Sequence, residues 1–410
     1  MALSVNRLSS NPSSINRRWW LAFGIYMNDI YQLFYQLIRV AIGNQVCLSH
    51  TPSADEWGEL YALAKKQSLV GVCFAGVQKL TINHSSLIVN LSESLRLQWM
   101  GMAAKIQQRN EVLNRRCAEL AESLKLKGYR ASVLKGQSLA PYYGDLAALR
   151  QSGDIDVWVQ NKSIEELVKY VKGLGVNYKA TAAHVECQLF DNTNVELHAE
   201  PAFMRNFFSN RKLVQWFNSS KGSIVESELG FNVPTSEFNL VYMMVHMYHH
   251  VLLEGLGLRQ LMDYYFVLRT VENSKECREG KECICSEQPS IPSILSVLDS
   301  FGMKKFASGI MWVVKTVLVS HDNHNLDDNL FFGIEPNEKV GRLLLDEIMA
   351  GGNFGHHDEK NKNLHGGTAV GRSLSGLKRN MKFFALGHWE ILCSPLWSTW
   401  HWWWRRIHTF

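Results

Sequence analysis

The stretch VLKGQSLAPYYGDLAALRQSGDIDVWV, residues 133–159, decides how this chain folds. Ala131–Leu134 is a short apolar run that stops at Lys135-Gly136, and Asp154–Val159 alternates polar with apolar side chains. Strand side chains alternate with period two, so Asp154 and Asp156 project from one face while Ile155 and Val157 point into a core. Two carboxylates on one face repel each other unless a cation sits between them. Mg²⁺ suits that place, because it is a hard cation that takes carboxylate oxygens together with substrate phosphates.

Downstream, Ser163–Gly173 reads as a helix entered through a Ser163 cap, with Glu166 three residues on. Two extended segments follow, His184–Phe190 and Val195–His198, joined by Asp191-Asn192-Thr193-Asn194, which is turn chemistry. Glu196 and His198 share a face. If their strand lies beside Asp154–Val159, Glu196 is a third carboxylate. Three carboxylates can hold two metal ions about 3.5–4 Å apart, which stabilises the attacking and leaving oxygens of an in-line phosphoryl displacement. Upstream, Gly136 lets the backbone approach an anion where a strand turns into a helix, and a helix N-terminus offers free N–H groups. Lys135 and Arg150 would then pair with triphosphate charge. His198 either acts on an acceptor or orients Glu196, and His184, at a strand start, reads first as structural.

Helical periodicity surrounds this centre. Trp57, Leu60, Leu63 and Ala64 recur at helical spacing, as do Val112, Leu113, Leu120, Leu124 and Leu126. Beyond Thr235, Phe238, Val241, Tyr242, Val245, Tyr248 and Leu252 form one apolar face, and Leu258–Leu268 continues as helix. His246 and His250 share a helix face at a spacing that can ligate zinc, but Met247 stands where a His-Glu-x-x-His motif needs Glu. These residues and His249 read instead as the wall of a cleft opposite the carboxylates, or as part of a polar interior. Arg259 and Asp263, four apart, read first as an intrahelical ion pair, with Arg259 on a phosphate as the functional option. Residues 272–290 read as a polar insert, 291–318 as helices, Asp322–Asp328 as a loop and Lys339–Met349 as a helix. His356, His357 and His365 read as a flap or solvated loop.

The length, 410 residues, suggests two or three domains. With 46% hydrophobic and 20% charged residues, the chain can bury a sizeable core, which excludes disordered, collagen-like and disulfide-scaffold classes. Lys plus Arg number 43 against 38 for Asp plus Glu, and a net charge of +5 gives no ground for a nucleic-acid partner. Most of the eight scattered cysteines read as small buried hydrophobes, while Cys277, Cys283 and Cys285 sit in a charged run that reads as a surface loop. Ile30, Leu33, Phe34, Leu37 and Ile38 read as a helix packed on the body, since Asp29 and Asn28 speak against a membrane span. The protein is therefore expected in the cytoplasm. Six tryptophans from Trp389 to Trp404 stand beside Arg405 and Arg406. They pack on the domain in one reading and touch a membrane peripherally in the other.

These residues resemble the nucleotidyltransferase superfamily with the DNA polymerase β-like fold, whose pattern is a glycine turn, an Asp-x-Asp strand and a third carboxylate on a later strand. More narrowly, the chain is similar to a bacterial family of uncharacterised nucleotidyltransferases. Leu134-Lys135-Gly136, Arg150, Asp154-Ile155-Asp156 and Val195-Glu196-Leu197-His198 carry the likeness, which extends from about Trp57 through Gly257–Asp263 to Gly352–Gly355. Gln137 after Gly136, and the 18-residue step from Gly136 to Asp154, depart from the superfamily pattern.

The resemblance implies an α+β fold. Its polymerase β-like core, with a small mixed sheet, would span residues 129–234 between a helical region at 27–128 and a C-terminal helical domain at 235–410. Residues 1–26 would be an extension ahead of a start at Met27. The implied activity moves a nucleoside monophosphate from an NTP to the hydroxyl of a small-molecule, sugar or protein acceptor, releasing pyrophosphate. Asp154, Asp156 and Glu196 would be catalytic and bind two Mg²⁺ ions, while Lys135, Gly136, Arg150, His198 and Arg259 would bind substrate. Relatives of this kind are associated with surface polysaccharide synthesis, which frames an alternative: a non-catalytic accessory protein docking through its tryptophan-rich tail.

Overall fold

In the computed structural model, which describes residues 29–279, 291–320, 334–353 and 369–408, one long helix joins two cores. This helix, α4 (Glu93–Leu126), buries Trp99, Ala103, Ile106, Asn110, Leu113, Cys117, Leu120 and Leu124, at alternating spacings of four and three that keep one face inward. Its first half belongs to a large helical core and its second half to the core beneath a sheet. Asn110 stands at the changeover, and its amide donates to the carbonyls of Ala148 and Arg150, both at 2.8 Å. Ahead of it lie α1 (29–42), α2 (Ala54–Lys66) and α3 (Val70–Asn83). The expected apolar set of α1 is fully buried, whereas Leu126 ends α4 exposed. Among the described residues no helix is long and apolar enough to cross a membrane.

The sheet comprises β1 (Ala131–Leu134), β2 (Ile155–Val159), β3 (Tyr178–Ala180), β4 (His184–Phe190) and β5 (Thr193–His198), in the order β1-β2-β5-β4-β3. Pairing is antiparallel except between β2 and β5, which run parallel. A single helical turn, α5 (Gly136–Leu139), and a 3-10 segment connect β1 to β2. After β2 comes α6 (Ile164–Gly173), started by the expected Ser163–Glu166 capping box. One sheet face, with Ile155, Val157, Val185, Val195 and Leu197, packs on α6 and the second half of α4.

Several elements were not expected. The β4–β5 turn is tighter than the sequence suggests: Asn192 adopts φ 56°, and β5 begins at Thr193 instead of Val195. Three-residue strands are too short to alternate visibly, which hid β3 and the hairpin β6 (Ile224–Glu226)–β7 (Asn232–Pro234). The helix α7 (Phe207–Ser219) buries only Leu213 and Phe217 and leaves Phe207 and Phe208 exposed, so its periodicity is blurred.

The C-terminal half is helical: α8 (Ser236–Leu253), α9 (Leu258–Glu279), α10 (Ile291–Ser300), α11 (Lys304–Leu318), α12 (Glu338–Gly351) and α13 (Ala369–Ile407). The Thr235 side chain caps α8, and the predicted apolar face of α8 is buried. α9 runs on to Glu279, into the stretch read as a polar insert. α13 breaks at Gly387, where a Cβ would collide with the ring of Tyr248. Cys73, Cys117 and Cys187 are buried as expected, while Cys47 and Cys393 are half-buried. The expectations for residues 1–26, Cys283, Cys285, Asp322–Asp328, His356, His357 and His365 lie outside the described residues.

Candidate functional site

Strand register assembles the site. The parallel pairing sets Asp156 beside Glu196 and Trp158 beside His198, and the antiparallel pairing sets His184 across from His198. Asp154 immediately precedes β2. This polar face looks toward α8, on which Trp158 stacks through Phe238 at 5.6 Å. Between them opens a cleft of about 640 Å³. Lys135, Asp154, Asp156, Glu196 and His198 line its sheet side, and His246, His249, His250 and Arg259 line the helical side.

Charges alternate on the sheet side. Lys135 Nζ lies 2.9 Å from Asp156 Oδ1, and His198 Nε2 lies 3.2 Å from that oxygen and 3.3 Å from Glu196 Oε2. Burial opposes ionisation of Asp156, but the Lys135 ammonium and the His198 hydrogen bond outweigh it and hold the carboxyl well below its usual range. His198 is the mirror case: burial opposes its charge, and hydrogen bonds to Asp156 and Glu196 raise its pKa. Asp154 is shifted the other way, raised first by burial and then by the charges of Asp156 and Glu196. Lys135 and Gly136 have φ of 47° and 42°, and a non-glycine residue there costs on the order of 1–3 kcal/mol, which tertiary structure must offset.

Three expectations change. The helix after Gly136 is one turn of four residues, with Ser138 bonding back to the Lys135 carbonyl, so it brings no helix terminus of consequence to an anion. Arg150 grips Asp263 through two bonds of 2.6 and 2.7 Å, and Tyr143 donates to the same carboxylate at 2.6 Å, so its guanidinium is committed to structure. Asp263 thus takes Arg150, not Arg259, as its ion-pair partner. Arg259 donates to the Gln151 carbonyl at 2.8 Å, and burial followed by the nearby Arg150 lowers its pKa to about 10. His246 and His250 face each other at 2.8 Å between their Nε2 atoms, and burial pushes His249 down to about 3, so that ring is neutral.

Sequence reasoning missed Glu200 as a site residue. It lines the cleft, burial pushes its carboxyl up to about 7 against the pull of Lys221, and Oε2 is buried without a hydrogen-bond partner among the described residues. The period-two series Glu196, His198, Glu200 was the available signal. His184 was undervalued because its position opposite His198 exists only in the paired sheet.

The donors suit a hard cation. Asp154, Asp156 and Glu196 line the cleft together with Glu200, and after burial the charges of Asp156 and Glu196 raise the pKa of Asp154, a repulsion that a cation would relieve, while the Lys135 ammonium compensates Asp156 alone. Among the described residues, the three ligands whose donor atoms lie within 4.8 Å of one another are His184, Glu196 and His198.

A small mixed sheet flanked by helices, with carboxylates and cations lining a cleft on one face, defines an α+β protein. A family model described as uncharacterised nucleotidyltransferase matches residues 53–279, more than half of the chain and every site residue named above. The chain belongs to that family. No curated protein matches it.

Proposed function

We propose that this protein is a Mg²⁺-dependent nucleotidyltransferase that moves a nucleoside monophosphate from an NTP to an acceptor hydroxyl, with a core of the polymerase β-like kind. The observation that carries this is the β2–β5 register, which puts Asp156 against Glu196 with Asp154 at the same cleft. Asp154, Asp156 and Glu196 would hold the ions, which when bound neutralise charge on the attacking and leaving oxygens. Lys135 and Arg259 contribute cationic charge to the triphosphate, and Gly136 gives the backbone turn its positive φ. His198 keeps Asp156 and Glu196 ionised and oriented. Glu200, with a pKa near neutrality, is matched to accept the proton of the acceptor hydroxyl as its oxygen bonds to the α-phosphorus and pyrophosphate leaves. A cleft of about 640 Å³ accommodates an NTP together with the reacting end of a small-molecule, sugar or protein acceptor. A cytoplasmic setting supplies the NTP.

The test is transfer of radiolabel from α-labelled NTPs to components of a cell extract. Wild type should label a discrete acceptor and Asp156→Asn should not, at unchanged circular dichroism. Equal labelling by both overturns the assignment.

We also propose a peripheral membrane contact. It is favoured by the outward indoles of Trp389, Trp400, Trp402 and Trp403, which leave an exposed aromatic face on α13 beside Arg405 and Arg406. This contact would serve the enzyme or, equally, the accessory role raised by the tail.

A further inference from the structure

Strand register builds a second kind of donor set in the same cleft. His184 on β4 stands directly across from His198 on β5, and Glu196 precedes His198 by two residues on the same face. Ligand atoms from all three lie within 4.8 Å of one another. His198 Nε2 is 3.3 Å from Glu196 Oε2, and the two imidazole rings, 5.2 Å apart, are tilted by 44°. Nitrogen and oxygen ligands held at about 2.0–2.2 Å from one ion are themselves roughly 3–4 Å apart, so side-chain rotation closes the remaining gap. The His184 ring faces the cleft and makes no hydrogen bond among the described residues.

We infer that His184, Glu196 and His198 form a binding site for a first-row transition-metal dication of the Mn²⁺, Co²⁺ or Zn²⁺ class. Imidazole nitrogens suit such ions, whereas Mg²⁺ is held by oxygens and keeps its water. Because Glu196 also belongs to the carboxylate set, the inference rests on the cleft reading above and deepens it: one ion at this carboxylate is nitrogen-ligated, and its binding releases to solvent the proton that His198 otherwise shares with Asp156 and Glu196. His246 and His250, bonded to each other across the cleft, are not part of the set.

The test uses the full chain, freed of metal by chelation and titrated with Co²⁺ alone. Visible absorbance should rise to one equivalent with the bands of a nitrogen-ligated ion, and Zn²⁺ should displace it where an excess of Mg²⁺ of about a thousandfold does not. His184→Gln and His198→Gln should each weaken Co²⁺ binding at least about tenfold and change its spectrum. Asp154→Ala should keep the spectrum, since Asp154 lies outside the set. If His198→Gln fails to fold by circular dichroism, His184→Gln carries the test. A Co²⁺ spectrum indifferent to His184→Gln, or equal displacement by Mg²⁺, overturns the site. Mg²⁺-dependent binding of a nonhydrolysable NTP is measured separately. Its absence beside an intact histidine-dependent Co²⁺ spectrum sinks nucleotidyl transfer and supports the metal site.

Discussion

Glu200 titrates near neutrality, and that has a stability consequence of definite sign. Its carboxyl is raised from the usual 4.5 to about 7 in the folded chain. Between those values the folded protein keeps a proton that the unfolded chain has released, so stability falls as pH rises from about 4.5 to about 7. Glu200→Gln removes the ionisation. It should melt higher than wild type at about pH 8 and at the same temperature at about pH 4, and thermal melts with no gain at the higher pH contradict the burial. At this scale the sequence was informative wherever a position follows from alternation along one strand, as for the shared face of Asp156, Glu196 and His198. It was silent where the partner is remote: Arg150 meets Asp263 across 113 residues, and no local pattern announces that a cleft arginine is already paired.

The same ion pair governs a whole element. Arg150 is 3% exposed and lies in the loop that delivers Asp154, a loop held from below by Asn110 of α4 and from the side by Asp263 of α9. Asp263→Ala leaves a buried guanidinium without its carboxylate and should destabilise the protein by about 3–5 kcal/mol in urea unfolding. Arg150→Met combined with Asp263→Leu should recover most of that loss, because apolar side chains of similar volume replace a buried pair nearly neutrally. A double variant as unstable as the single one contradicts this account. Long elements with caps or broad apolar faces, such as α2, α6 and α8, were legible from sequence. β3, β6 and β7 were not, since three residues carry too little alternation to stand out, and α7 was obscured by its exposed phenylalanines.

At the scale of the molecule, α13 ties the tail to the body and still presents an apolar front. Glu390 accepts from the backbone amides of Arg205 and Asn206, Trp397 stacks on Phe203 at 5.0 Å, and His408 lies 3.6 Å from Glu165. The opposite face holds Leu396 and Trp403 at 74% and 56% exposure, close to Arg405 and Arg406. Replacing Trp400 and Trp403 by Ser should reduce cosedimentation with phosphatidylglycerol vesicles at least about tenfold without changing the fold. Undiminished cosedimentation removes the membrane contact. The sequence showed that the tail is rich in Trp and Arg but could not apportion its indoles between body and solvent, because that depends on the break at Gly387 and the docking of Trp397 and Trp404.

In the proposed reaction Asp154, Asp156 and Glu196 hold Mg²⁺ for a nucleoside triphosphate. Titration calorimetry of the full chain with each nonhydrolysable NTP, with and without Mg²⁺, tests it most directly, run on wild type and on Asp154→Ala/Asp156→Ala. At least one NTP should bind wild type only with Mg²⁺ present, and that binding should disappear in the double variant. Failure of every NTP to bind wild type, or binding that survives the loss of both carboxylates, contradicts it.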